Sequence, residues 1–239
     1  MGLTDFGERN SAEDHARRVR EMFARISPRY DLLNHLLSAN IDTRWRRRVV
    51  KKLAPQLVPG TQVLDVGCGT GDLGIEIFEK TAASVVGIDF CRPMLELASR
   101  KSPHLPFIEG DALKLPFADA TFECITIGFA LRNLSSVNEG LAELRRVLKN
   151  NGKLAILEFS RPETPLLRQL VRFYYRGLLP WIGGGFSGSR SAYEYLPASI
   201  AGFPDQKTLA EMMRAAGFEE VEFENLSGGI AALHTGRRA

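Results

Sequence analysis

Cysteine is scarce in this 239-residue chain: only Cys68, Cys91 and Cys124 occur, and no two stand at the short spacing of a disulfide ladder or a zinc knuckle. So few and scattered thiols exclude a disulfide framework and a metal site of the zinc type, and they fit a reducing compartment. No apolar run approaches the ~18 residues that a membrane-crossing helix needs. Residues 4–20 are polar and charged, without the apolar core of a secretory signal. The expected location is therefore the cytoplasm, with contact at the inner face of a membrane left open. An excess of one charge is lacking too. Lys and Arg number 31 against 28 Asp and Glu, a net +3 that is too small to imply a nucleic-acid partner.

What is present is ordinary soluble-domain composition, 44% hydrophobic and 25% charged. The length suits one α/β domain with an appendage. Residues 1–15 read as a frayed polar start. Val19, Met22, Phe23 and Ile26 share one helical face, and Pro28 ends that run. Leu32, Leu33, Leu36 and Leu37 mark a second helix, and an arginine-rich third covers about 43–53. Short apolar runs then follow at 61–66, 84–88, 106–109, 121–127 and 153–159, with helical patterns between most of them. That alternation predicts βαβ units and a parallel sheet. A helix at 207–216 precedes two more strands, 220–224 and 230–234, joined at Ser227-Gly228-Gly229 in a hairpin-like signal. The expectation is one domain over 1–239 with a doubly wound, mostly parallel seven-stranded sheet whose last strand is antiparallel. Within it lie a helical lid (16–54), a core (60–160), an inserted helical segment (164–190) and a C-terminal helix with strands (205–236).

The strongest motif is Val63-Leu64-Asp65-Val66-Gly67-Cys68-Gly69-Thr70-Gly71-Asp72. A strand running into glycines lets backbone approach a ligand closely. A dinucleotide site wants glycine three positions after Gly69, where a pyrophosphate meets a helix N-terminus; Asp72 stands there instead. Asp65 adds a second acid. Two carboxylates around the turn suit a cation, and S-adenosylmethionine carries both an ammonium and a sulfonium. Asp89 ends the second strand, where an acid can accept hydrogen bonds from ribose hydroxyls, and Asp111-Ala112 follows the third, where adenine could be met. Each acid taken alone could be a turn-former or helix cap. Three at successive strand ends point to a site.

With these pieces in place, the chain resembles the ubiquinone/menaquinone C-methyltransferase family of class I methyltransferases over roughly 20–236. The match rests on Tyr30-Asp31-Leu32-Leu33-Asn34-His35-Leu36-Leu37-Ser38 with Trp45, and on Phe129-Ala130-Leu131-Arg132-Asn133. It also rests on Arg146-Val147-Leu148-Lys149 with Leu157-Glu158-Phe159-Ser160, on Tyr193-Glu194-Tyr195-Leu196, and on Gly228-Gly229-Ile230. The resemblance implies cofactor contacts at Thr70, Asp89, Asp111 and Ala112, beside Asp65, Gly67 and Gly69 from the turn itself. It departs at Gly128, where some members carry a contacting serine, at Asn150-Asn151 in place of Pro-Gly, and at Asp42, where ubiquinone-type members often carry histidine. Asp42 tilts the implied substrate towards demethylmenaquinol.

Methylating a ring carbon requires an activated phenol, because a hydroxyl of pKa about 10 stays neutral at physiological pH. Arg132 is the candidate to hold a developing phenolate, Asn133 to orient the hydroxyl or a water, and Tyr30 to complete the relay. Arg132 could equally pair with an acid, and Tyr30 could simply pack. Residues 166–181 combine apolar bulk with Arg168, Arg172 and Arg176 at four-residue spacing, which suits either a lid or a helix on an anionic bilayer. Arg44, Arg46, Arg47, Arg48, Lys51 and Lys52 could add attraction to that surface or form a solvated face. The expected partner is a prenylated quinol, with homodimerisation left open. The competing readings are a benzoquinol methyltransferase of ubiquinone synthesis, another small-molecule methyltransferase such as an amine N-methyltransferase, and a cofactor-binding regulator without turnover.

Overall fold

The computed structural model describes residues 3–27, 30, 38, 40–174 and 190–239. Seven strands form one sheet: β1 (Gln62–Val66), β2 (Ser84–Asp89), β3 (Phe107–Glu109), β4 (Phe122–Gly128), β5 (Leu148–Phe159), β6 (Phe218–Leu226) and β7 (Ala231–Arg238). Their order is β3-β2-β1-β4-β5-β7-β6. β1 to β5 pair in parallel, and β7 runs antiparallel to both β5 and β6. The chain winds outward from β1 to β3 and returns to β4 on the other side. That reversal opens a crevice at the carboxyl ends of β1 and β4.

Both faces of the sheet are covered, so the central strands read as apolar runs rather than strict alternation. The period of two still sorts their side chains. Leu64 and Val66 join the core with Ile125, Leu141, Leu144, Leu209 and Met213. Val63 joins the opposite core with Val49, Leu53, Leu73, Ile77 and Leu157. The covering helices are α1 (Leu3–Ile26), α2 (Ile41–Leu53), α3 (Asp72–Thr81), α4 (Arg92–Lys101), α5 (Val137–Val147), α6 (Pro165–Phe173), α7 (Arg190–Gly202) and α8 (Gln206–Ala215). Their starts are written in the sequence: Ser136, Thr164 and Asp205 each accept a backbone N–H as N-cap.

The three largest differences from the expected boundaries fall at α1, β5 and β7. α1 begins at Leu3 rather than near residue 16, because polar residues of adequate helix propensity extend it past its apolar face. β5 begins at Leu148 rather than 153: Asn150-Asn151-Gly152 lies within the strand, absorbed where the register with β4 shifts, with Asn151 at φ 62°. β7 runs on to Arg238, whose guanidinium donates to the carbonyls of Arg145 and Arg146, both at 2.9 Å. The expected helix carrying Leu32 to Leu37 lies outside the described residues, as do Arg176 and Trp181.

Candidate functional site

A cleft of about 820 Å³, its open mouth included, lies at the carboxyl edge of the sheet. Its floor is the glycine turn after β1. Gly67 sits at φ +60°, and a Cβ there would come within 2.3 Å of the Ala130 methyl. Gly69, at φ +55°, lines the cleft, and a Cβ there would meet nothing within 4 Å. The first glycine is required by packing, the second by backbone conformation and by the space it leaves for a ligand.

Asp89 ties this turn to β2. Its Oδ2 accepts the Gly69 N–H at 2.8 Å and its Oδ1 the Cys91 N–H at 2.8 Å. Burial raises its pKa, against those same N–H donors. Asp111 closes a turn by accepting the Leu113 N–H at 2.9 Å, and Ala112 follows it. Gly67, Gly69, Asp89, Asp111 and Ala112 all line the cleft.

Asp65 and Thr70 do not. Thr70 is 2% exposed. Asp65, 1% exposed, shares the β1 face of Val63 and points under α3. Its oxygens accept the Gly74 N–H at 3.0 Å and the Thr126 hydroxyl at 2.7 Å. Burial pushes its carboxyl up to about 7, with those two donors pulling the other way. Asp72 does not offer free charge either, because Arg46 and Lys101 pair with it at 3.2 and 2.7 Å. Of these four acids, Asp89 and Asp111 face the cleft, while Asp65 is buried and Asp72 is paired, so neither of the latter two sets free negative charge against a phosphate.

The opposite wall follows β4. Phe129 adopts φ 57°, rare for a residue with a Cβ, and its carbonyl accepts Arg132 Nη1 at 2.5 Å and Asn133 Nδ2 at 3.4 Å. Asn133 and Tyr30 line the cleft, and the Tyr30 ring meets Phe23 edge-on at 5.9 Å. Arg132 does not reach it. Its Nη1 bonds both oxygens of Glu158, at 3.1 and 2.9 Å, and its guanidinium lies 5.2 Å from the Phe159 ring centre. Glu158 was missed at the sequence level, although an acid inside Leu154-Ala155-Ile156-Leu157 and Phe159 was a signal: a buried charge demands a partner. Tyr195 was missed as well; its hydroxyl donates to Asn133 Oδ1 at 3.0 Å.

Two flanking features change the surface reading. Most of the α2 basic stripe is paired inside the molecule: Arg46 with Asp42, Arg47 with Glu76, Arg48 with Glu224 and Lys52 with Glu222. On α6, by contrast, Leu166, Leu170 and Phe173 are 69%, 57% and 75% exposed. No described helix is long and apolar enough to cross a membrane.

Comparison with known proteins bears on this geometry. The ubiE/COQ5 methyltransferase family profile matches residues 10–238. The ubiquinone/menaquinone biosynthesis C-methyltransferase UbiE of Citrifermentans bemidjiense is 46% identical, over 92% of this chain and 96% of its own. The demethylmenaquinone methyltransferase of Thermus thermophilus is 46% identical, over 91% and 100%. That of Deinococcus radiodurans is 43% identical, over 94% of each. Among solved structures, a SAM-dependent methyltransferase from Thermotoga maritima shares the fold at a TM-score of 0.67 and 19% identity, covering 92% of this chain and 99% of that one. The Haemonchus contortus phosphoethanolamine N-methyltransferase 2 complex with S-adenosyl-L-methionine does so at 0.56 and 14%, covering 76% and 49%. A match over nearly the whole length, with relatives above 40% identity, settles the kinship: the chain belongs to the ubiE/COQ5 methyltransferase family.

Proposed function

We propose that this chain is an S-adenosylmethionine-dependent C-methyltransferase acting on the reduced ring of a prenylated quinone precursor, with demethylmenaquinol converted to menaquinol. The observation that carries the reading is a single cleft with a glycine floor and two strand-tip acids on one side, and Asn133 with Tyr30 on the other, in a chain whose named relatives methylate quinones. The space over Gly69 and the acceptors on Asp89 and Asp111 fit a nucleoside-bearing donor. When bound, that cofactor supplies a methyl group on a sulfonium.

The protein's own groups divide the remaining work. Backbone at Gly67 and Gly69 accepts close approach, Asp89 offers acceptors to ribose hydroxyls, and Asp111 with Ala112 borders the base. Thr70 and Asp65 act from behind, by fixing the turn. Asn133 and Tyr30 hold the quinol hydroxyl in orientation, which is where positioning supplies rate. Arg132 acts through the wall: neutralised by Glu158, it clamps the Phe129 carbonyl and so sets where Asn133 stands. Asp42, 5% exposed and bonded to Ser38 and Arg46, supports the naphthoquinol over the benzoquinol through its place in the resemblance. The exposed apolar residues of α6 support contact with the cytoplasmic face of a membrane, from which a prenylated substrate would be drawn.

The test is incubation of the purified chain with methyl-labelled cofactor and either demethylmenaquinol or a demethylated benzoquinol. Label in the naphthoquinol is expected. Label in neither ring overturns the reading, and label in the benzoquinol alone moves the enzyme to ubiquinone synthesis.

A further inference from the structure

Asn133 is held from two sides. Its Nδ2 faces the Phe129 carbonyl, which can only accept, so its Oδ1 must face Tyr195. Tyr195 is then obliged to donate, and it must stay protonated to do so. Burial of its ring pushes the hydroxyl pKa up, in keeping with that role, while Arg132 and Glu158, the charged pair nearby, act in opposite directions. An amide carries two N–H donors and two acceptor lone pairs. With one of each engaged, Asn133 keeps one N–H and one lone pair for the cleft it lines, and the N–H is the group a phenolate oxygen can use.

Tyr195 comes from elsewhere in the chain. It lies on α7, which packs on α1 and on the 3-10 turn Leu131–Asn133. The hydroxyl therefore joins α7 to the wall that carries Asn133. We infer that Tyr195 is a positioning residue for the methyl acceptor: by fixing the Asn133 amide it sets the donor that meets the quinol oxygen. The inference rests on the proposed quinol methylation, and it concerns the acceptor side, since Tyr195 reaches the cleft only through Asn133, on the wall opposite the glycine floor.

Tyr195→Phe keeps the ring and removes only the donor. In the full chain we expect kcat with demethylmenaquinol to fall about tenfold, the scale of one lost hydrogen bond felt in the transition state. Cofactor affinity by calorimetry should hold. Asn133→Ala should lower kcat too, and adding Tyr195→Phe to it should cost nothing further, because the two act as one unit. A readout independent of turnover is the Asn133 side-chain amide in a 15N-labelled sample: its N–H exchange should be protected in the unsubstituted chain and fast in Tyr195→Phe. Unchanged kcat, independent effects of the two substitutions, loss of cofactor affinity, or an amide already fast in the unsubstituted chain would overturn the inference. Absence of quinol turnover with the amide signature intact would instead remove the proposed reaction and leave the Tyr195–Asn133 restraint standing.

Discussion

Arg132 Nη1 lies 2.9 Å from Glu158 Oε2, in a pair whose side chains are only 6% and 1% exposed. Two charges have been taken out of water beside a cleft, and the gain is geometric rather than purely energetic. The pair, with a backbone N–H from Arg132 to Glu158 at 3.3 Å, anchors the 3-10 turn to β5 and holds Phe129 in its left-handed conformation. Burial raises the Glu158 pKa, and the Arg132 charge opposes that rise.

Removing one partner leaves the other charge uncompensated. Arg132→Ala should destabilise the fold by about 3–5 kcal/mol, whereas an Arg132→Met, Glu158→Leu double substitution should lose less than either single change. Urea unfolding measures both. In the folded fraction of Arg132→Ala, turnover should collapse while cofactor affinity stays near its starting value, since Arg132 does not line the cleft. Equal loss of binding would show that the wall and the cofactor floor are not separable.

The two turn glycines should fail in different ways. Both sit at positive φ, so alanine costs about 1–2 kcal/mol at either. At Gly67 the new methyl also collides with Ala130, so the stability loss should be the larger. At Gly69 the methyl enters open space in the cleft, and cofactor affinity should suffer with a smaller loss of stability. Thermal midpoints paired with calorimetric titrations would show the ranking; a reversed order on both measurements would refute it.

Asp65 makes a pH prediction. Its folded pKa of about 7 lies above the ordinary 3.8, so the folded state binds its proton more tightly than the unfolded chain does. That contribution to stability is complete below the ordinary value and is lost as pH rises towards and through the folded one. Asp65→Asn can still accept from Gly74 and can donate to Thr126, whose hydroxyl turns to accept. The stability gap between the two proteins should therefore move in favour of the variant as pH rises, with a slope no steeper than about 1.4 kcal/mol per pH unit. Urea unfolding at about pH 5 and about pH 8 checks the sign. A gap that does not change with pH would mean Asp65 is ionised throughout.

Much of this was written locally in the sequence. Val63 to Asp72 specified strand, turn and helix within ten neighbours in the chain, and Asp89 and Asp111 followed from the same strand–helix rhythm. What escaped depended on orientation or distance. A tip acid on a two-sided sheet can face ligand or helix, and only the fold, which covers the Val63–Asp65 face with α3, decides it. Arg47, Arg48 and Lys52 of α2 carried no local sign of pairing, because their partners Glu76, Glu224 and Glu222 lie far along the chain. Glu158 was legible as an anomaly in an apolar strand, yet naming Arg132 as its partner needed the fold. Tyr195 stood in a recognised motif, but nothing local tied it to Asn133.

The surface of α6 makes the last prediction. Leu166, Leu170 and Phe173 recur at helical spacing and are all more than half exposed, while Leu167 packs over Gly228 on the body of the protein. Arg168 and Arg172 stand on the same short helix. With the α2 basic residues largely paired, attraction to anionic lipid should come from α6 rather than from that stripe. Replacing the three exposed apolar residues by serine should abolish sedimentation with vesicles of anionic phospholipid, with little change in thermal midpoint, because none of them is buried in the fold. Turnover of a short-chain, water-soluble quinol should persist, whereas turnover of a long-chain quinol embedded in vesicles should fall. Reversing Arg47 and Lys51 to glutamate on α2 should weaken vesicle binding much less than the α6 substitution. If the α2 change matters more, the bilayer is met by α2 rather than by α6.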